Sequence, residues 1–286
     1  MARTVGVDAA ETRGPHRVLH VITDLYVGGA ETTLTRLLTA KPALAQQSRV
    51  VSLLPDGPLA ESVRGAGFPL VELNLRKPVG ALTGIVQLAR LIAKTKPDIV
   101  QGWMYHGDLA ALLALTLSGR RKATRLAWNI RCSTLDFSRY SPLLRLVVRA
   151  CAALSSLPDL VIANSVAGME AHRTLGYRPR RAEMVPNGID LDEFRPDPAA
   201  RAVVRRELGI PEEAIVLAHV ARLDPMKDHA GFLRALAKVS DVQALMVGAG
   251  TETLTTPANV HRLGRRSDIP RLVAACDFVV SSSAFG

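Results

Sequence analysis

Aromatic residues make up only 4% of this 286-residue chain. That is too few to build a platform of stacked rings, and nucleic acid is not expected as a partner. Cysteine is scarce as well: Cys132, Cys151 and Cys276 are odd in number and far apart. They supply neither a disulfide framework nor a metal-ligand spacing, so a reducing cytoplasm is the simplest location. No apolar run reaches the ~18–20 residues of a membrane span, and the richest, 143–163, is broken by Arg145, Arg149 and Asp159. Residues 1–16 lack the apolar centre of a signal peptide, and 1–15 reads as a disordered lead.

Core-forming material is ample. Residues of the AVILMFWYC set account for 48% and charged residues for 22%, which suits roughly two globular domains and excludes a disordered chain. The formal charge is +10, and its distribution is uneven. Residues 16–190 hold 22 basic and 12 acidic side chains, whereas 191–286 hold 12 of each. The first part therefore carries the surplus, as a domain meeting a phosphorylated substrate or an anionic membrane would.

From Arg17 onward, short apolar runs alternate with stretches of helical spacing. The runs are 17–23, 49–54, 69–73, 98–103, 124–130 and 159–164, with helical stretches at 30–39, 80–93, 108–117 and 142–154. Apolar runs without alternation suit strands covered on both faces, and the intervening helices suit parallel crossovers. The segment VPNGIDLDEFRPDP from Val185 reads as a linker. After a helical stretch at 199–208, a second series of strands is expected at 214–223, 243–250, 259–264 and 277–283. The expected organisation is a lead at 1–15, a Rossmann-like domain at 16–190 and a second at 191–286. The second sheet is expected to be incomplete, because the sequence ends directly after a strand.

Ligand sites in such sheets lie at the carboxyl ends of the strands, and several polar residues fall there. Gly28 and Gly29 follow the first run, where backbone N–H groups can approach an anion at a helix start; a plain tight turn is the alternative. No third glycine completes a dinucleotide fingerprint. His106 follows the fourth run, where it could donate to a hydroxyl or phosphate or merely cap a helix. Asn129 and Arg131 follow the fifth, and Asn164 and Ser165 the sixth. In the second series, Arg222 and Lys227 could converge on a diphosphate without a metal, or face water; spacing leaves both open. Gly248 and Gly250 end the next strand.

Taken together, GGAE (28–31), WMYHGDLA (103–110), VPNGIDLDEF (185–194), VARLDPMKDH (220–229), LGRRSDIP (263–270) and VVSSSAFG (279–286) resemble the family 4 glycosyltransferases of the GT-B fold. The motifs occur in family order from about Arg17 to Gly286. The resemblance implies an α/β protein with two Rossmann-like, doubly wound parallel-sheet domains facing a cleft, transferring a sugar with retention from a nucleotide-sugar donor. By position, it implies that Gly28 and Gly29 lie beside the donor phosphates and that His106 contacts the transferred sugar. Arg222 and Lys227 would hold the diphosphate. Asn187 and Gly188 would form the interdomain loop, Gly248 would lie on the donor side, and Leu263, Gly264 and Arg265 would pass the base. Asn129 and Arg131 are placed on the acceptor side. Family members generally need no bound metal, no acidic metal triad is evident here, and no cofactor is expected.

The acceptor is expected to be a glycan, a lipid-linked or a small molecule, with a peripheral seat on the inner face of an anionic membrane. The family's glutamate, seven residues, second glutamate pattern would begin just beyond Gly286. The chain as written is thus expected to lack half the donor site and to be inactive. Two other readings stay open: a nucleotide-sugar 2-epimerase of the same fold, and a non-catalytic truncated remnant.

Overall fold

A computed structural model describes residues 16–75, 78–133 and 141–284. The lead expected at 1–15 lies outside the described residues. The chain divides into two compact units, one through Asn187 and one from Gly188.

In the first unit the strands are β1 (Val18–Ile22), β2 (Ser48–Ser52), β3 (Leu70–Glu72), β4 (Ile99–Trp103), β5 (Arg125–Ile130), β6 (Leu160–Ala163) and β7 (Ala182–Met184). They pair throughout in parallel, in the order β3-β2-β1-β4-β5-β6-β7. The connecting helices are α1 (Gly29–Thr39), α2 (Ala60–Gly65), α3 (Pro78–Thr95), α4 (Met104–Leu117), α5 (Pro142–Leu154) and α6 (Val166–Thr174). Both faces of the sheet are covered, which is why its strands read as unbroken apolar runs. Leu19 and Val21 join one core with Leu88, Leu115 and Trp128; Ile22 and Trp103 join another with Leu34 and Leu38. Six strands are expected from the apolar runs, and β7 is a seventh. Its three residues, Ala182–Met184, sit at the sheet edge with one charged side chain and carry no apolar run.

The second unit holds α7 (Pro198–Glu207), β8 (Ile215–Val220), α8 (His229–Leu236), β9 (Val242–Val247), β10 (Val260–Gly264), α9 (Ile269–Ala274) and β11 (Phe278–Val279). These strands too are parallel, in the order β10-β9-β8-β11. The run expected as a strand over 277–283 pairs over only two residues. From Ser282 onward its groups bond instead to the loop after β8.

Each sheet changes direction once. In the first, the chain winds outward from β1 through β2 to β3, then restarts on the other side with β4. In the second, it winds from β8 to β10 and restarts with β11. Helices depart in opposite directions at these two points, leaving room at the carboxyl ends of the strands between them.

Candidate functional site

Gly28 and Gly29 follow β1 and His106 follows β4, so the three flank the switch point of the first sheet. Neither glycine is required by its backbone angle. Gly28 caps α1 with an extended φ of −146°. A Cβ on Gly28 would meet only the flexible Glu31 carboxylate, and one on Gly29 would meet nothing within 4 Å. The turn is therefore open at Gly29, while the Glu31 side chain lies over Gly28, with the start of α1 behind both.

Two other glycines set the position of His106. A Cβ on Gly102 would lie 2.5 Å from Asp108 Cα, and one on Gly107 would lie 2.5 Å from the Val21 carbonyl oxygen. Helix α4 is thus drawn directly onto β4 and β1. Met104 enters that helix at φ +63°, a left-handed angle that costs a non-glycine residue on the order of 1–2 kcal/mol. His106 lies in the first turn, half-buried. Burial pushes its imidazole pKa down, opposed by the nearby Asp24 carboxylate, so the ring is neutral near pH 7.

Arg131, after β5, stacks its guanidinium 4.7 Å from the ring centre of Trp103. It donates to Asn187 Oδ1 at 2.7 Å and to Asn129 Oδ1 at 3.4 Å, while its Nε has no partner. Burial works against its charge. Asn129 itself is fully buried, with Nδ2 donating to the Gly102 carbonyl at 2.8 Å. It reaches the sheet edge only through Arg131. Asn164 and Ser165 follow β6; the Ser165 hydroxyl caps α6 by accepting from Gly168 N, and Asn164 Oδ1 is a buried acceptor without a partner.

Trp103 is held in turn by His20, whose Nδ1 accepts from the indole N–H at 3.3 Å. Burial pushes the His20 pKa down to about 4, opposed by a hydrogen bond with Gln101. An unfolded histidine binds its proton near pH 6.5, so between about 6.5 and 4 the unfolded chain holds the extra proton. Stability of the first unit should therefore fall with acidification across that window, by ~3 kcal/mol in total. His20→Asn keeps an acceptor facing Trp103 and does not titrate, so its stability should fall less steeply. Urea unfolding followed by tryptophan fluorescence between pH 7 and 4.5 measures this, and equal slopes would refute it.

At the second switch point, Arg222 and Lys227 follow β8. Arg222 donates to Asp224 Oδ2 from Nη2 at 3.2 Å and from Nε at 3.3 Å, and half its side chain is exposed. The Met226 N–H, Arg222 and Lys227 all hold the Asp224 carboxyl below its usual range, against the effect of burial. One carboxylate thus lies in the field of both cations. Its signal was the Asp two residues after the arginine in RLDPMK.

The remaining residues divide. Gly248 (φ +149°) has Ala221 and Arg222 backbone atoms within 2.6 Å of where a Cβ would stand, so glycine here sets the end of β8. Gly250 and Gly264 also have positive φ, and the Gly264 N–H donates to the buried Thr251 hydroxyl oxygen at 3.1 Å. Leu263 packs on the Val204–Ile210 core rather than outward, whereas Arg265 and Gly188 are exposed. A cavity of about 1100 Å³ lies at the opposite, amino-terminal edge of the first sheet. There Arg121 and Arg125 both pair with Asp159, and Lys122 and Arg180 also line the wall.

Residues 27–193 match the profile of Glycosyltransferase Family 4. D-inositol 3-phosphate glycosyltransferase 2 of Catenulispora acidiphila is 35% identical over 132 residues, 42% of this chain and 30% of that protein. The chain thus aligns with between 18% and 30% of the length of such curated relatives. Crystal structures of HepE from Anabaena resemble the fold: the complex with UDP gives a TM-score of 0.76 at 23% identity, covering 93% of this chain and 74% of that one. The complex with UDP-glucose gives 0.76 at 22%, covering 94% and 74%.

Proposed function

This chain belongs to glycosyltransferase family 4, and from that membership we propose that it moves a sugar from a uridine diphosphate sugar to a hydroxyl acceptor with retention of configuration. The observation that carries the reading is positional. The open glycine turn with His106, and the pair Arg222 and Lys227, each sit at the switch point of a parallel sheet. In the reaction, the bond from the anomeric carbon to the diphosphate oxygen breaks. A new bond forms from that carbon to the acceptor oxygen, whose proton is released. Negative charge grows on the departing diphosphate, where Arg222 and Lys227 stabilise the transition state more than the ground state. Neutral His106 can hydrogen-bond the transferred sugar. Gly28 and Gly29 give the diphosphate room at the start of α1. Asn187, Gly188, Gly248, Gly264 and Arg265 line or shape the donor path, and Leu263 supports it from the core.

Arg131, with Asn129 behind it, is assigned to the acceptor. Its charge and the plane fixed by Trp103 suit a phosphate, in keeping with relatives named for D-inositol 3-phosphate. The test is product analysis with UDP-glucose and UDP-N-acetylglucosamine, with and without phosphorylated polyols and lipid-linked acceptors. Acceptor-dependent release of UDP with an α-linked glycoside supports transfer. Epimerised sugar formed without an acceptor would mark a 2-epimerase, and binding without turnover a remnant.

The same reading places the first unit on an anionic membrane. Helix α5 buries Val147, Val148 and Cys151 but leaves Leu143 and Leu146 each 64% exposed, with Arg149 exposed beside them. Leucines at the acyl boundary with arginine at the headgroups are the chemistry of an interfacial helix. Arg139, a further candidate, lies outside the described residues. No helix among the described residues is long and apolar enough to cross a membrane. Co-sedimentation with phosphatidylglycerol vesicles should exceed that with phosphatidylcholine, and Leu143→Ser with Leu146→Ser should abolish the excess. Equal binding to both vesicles would end this assignment.

A further inference from the structure

Behind the Arg222–Lys227 loop lies a buried polar cluster that the sequence motifs do not single out. His219, on β8, and His229, the first residue of α8, are both nearly inaccessible, with ring centres 4.6 Å apart. Phe232 of α8 stacks on His219 at 4.9 Å. The Ser282 hydroxyl stands 2.9 Å from His219 Nε2, 2.8 Å from the Lys227 carbonyl and 3.1 Å from the Asp228 carbonyl. These distances assign the protons. A hydroxyl has one hydrogen, and the two carbonyls can only accept, so Ser282 donates to them and must accept from His219 Nε2–H. His229 Nε2 similarly donates to the Ala221 carbonyl at 3.2 Å. Nδ1 of each ring is then a bare acceptor, and both lack partners.

The loop is held from the same side a third time, since Ala284 N donates to the Met226 carbonyl at 2.9 Å. Three consecutive carbonyls, of residues 226, 227 and 228, are therefore captured by the segment after β11. Asp228 sits at φ +43°, a left-handed angle that aspartate tolerates better than most side chains.

We propose that His219 and Ser282 form a latch that fixes the Lys227 turn in its anion-binding position, making His219 a positioning residue for the donor diphosphate. This rests on the reading of Arg222 and Lys227 given above. The latch needs His219 neutral. Protonation would place a hydrogen on Nδ1 with no acceptor, beside His229 and within the field of Lys227. Asp228, the remaining charged neighbour, already spends its carboxylate capping α8 through Gly231 N. Burial first, then His229, lowers the His219 pKa, so the latch releases only below the ordinary histidine range.

The experiment is titration of UDP into the full-length protein and its variants from pH 7.5 to 5, with a thermal melt as a check on folding. Ser282→Ala and His219→Phe should each weaken UDP binding roughly tenfold at pH 7.5. His219→Gln retains an N–H for Ser282 and should bind nearly as wild type, but without the extra loss of affinity on acidification. Unchanged affinity in both Ser282→Ala and His219→Phe would overturn the latch. So would a His219→Gln variant that loses affinity with the wild-type pH profile. Arg222→Ala and Lys227→Ala run alongside: if they also bind UDP as wild type, the diphosphate assignment has failed instead. Should His219→Phe not fold, Ser282→Ala and His219→Gln decide the matter.

Discussion

Alanine at Arg222 or at Lys227 is expected to slow sugar transfer by roughly 30- to 1000-fold. The estimate follows from the ~2–4 kcal/mol lost when one fixed donor is removed from a developing oxyanion. Coulomb's law supports the scale: a unit pair ~4 Å apart is worth roughly 4 kcal/mol at an effective dielectric of 20, before desolvation. Arg222 already shares its guanidinium with Asp224, so a diphosphate must compete with a carboxylate for it. Lys227 makes no hydrogen bond through its ammonium among the described residues, and the larger loss is expected there. Arg222→Lys should recover only part of the activity, because an ammonium cannot reproduce a two-pronged contact with both Asp224 and a phosphate. Chelator should leave the unsubstituted protein unaffected if these side chains take the place of a metal. Steady-state kinetics with donor in excess measure all four cases, and wild-type turnover in both alanine variants would show that the charges serve only solvent.

Which parts of this arrangement are legible in the sequence follows from the range of the interactions. Strands such as β1, β4, β5 and β9 are buried on both faces and announce themselves as apolar runs. Edge strand β7 escapes notice because a three-residue edge needs no such run. Strand order is beyond the pattern: nothing in 99–103 says that β4 lies beside β1 rather than beside β3. Yet that one pairing brings Gly28 and Gly29 to the same edge as His106. The stack of Arg131 on Trp103 joins residues 28 apart, one just past β5 and one at the end of β4, and has no local signature. Glycine is ambiguous in a different way. Gly29 is open to solvent, while Gly102, Gly107 and Gly248 hold backbone segments against each other, and the letters are identical. Buried histidines mislead too, since His20 and His219 support the residues that face the site rather than facing it themselves.

Replacing Arg205 by methionine is expected to destabilise the second unit by about 3–5 kcal/mol, far more than loss of any exposed ion pair. Arg205 projects from α7 and is 3% exposed. Its Nε donates to the Ala275 carbonyl at 3.1 Å; Nη1 serves the carbonyls of Pro211, Glu212 and Ala214; Nη2 meets Asp277 Oδ2 at 2.9 Å. One guanidinium on α7 thus ties the segment leading into β8 to the entry of β11. Burial alone would raise the Asp277 carboxyl, but the Val216 N–H and the Arg201 guanidinium outweigh it and hold the group below its ordinary range. Methionine fills much of the volume yet leaves four carbonyls and a carboxylate without that donor, and buried unpaired acceptors are costly. Arg205→Lys should recover little, because an ammonium has three donors and cannot spread them over a plane. Arg266 is the control: its contacts to Asp268 are 2.6 and 2.7 Å but largely solvated, and Arg266→Ala should cost under ~1 kcal/mol. For a unit of this size the Arg205 loss corresponds to a fall of roughly 15–30 °C in its Tm. Both tryptophans lie in the first unit, so their fluorescence reports that unit's integrity while hydrogen exchange of the β8 amides follows the second. Wild-type protection of those amides in Arg205→Met would mean that the carbonyls find other donors and that the clamp adds nothing.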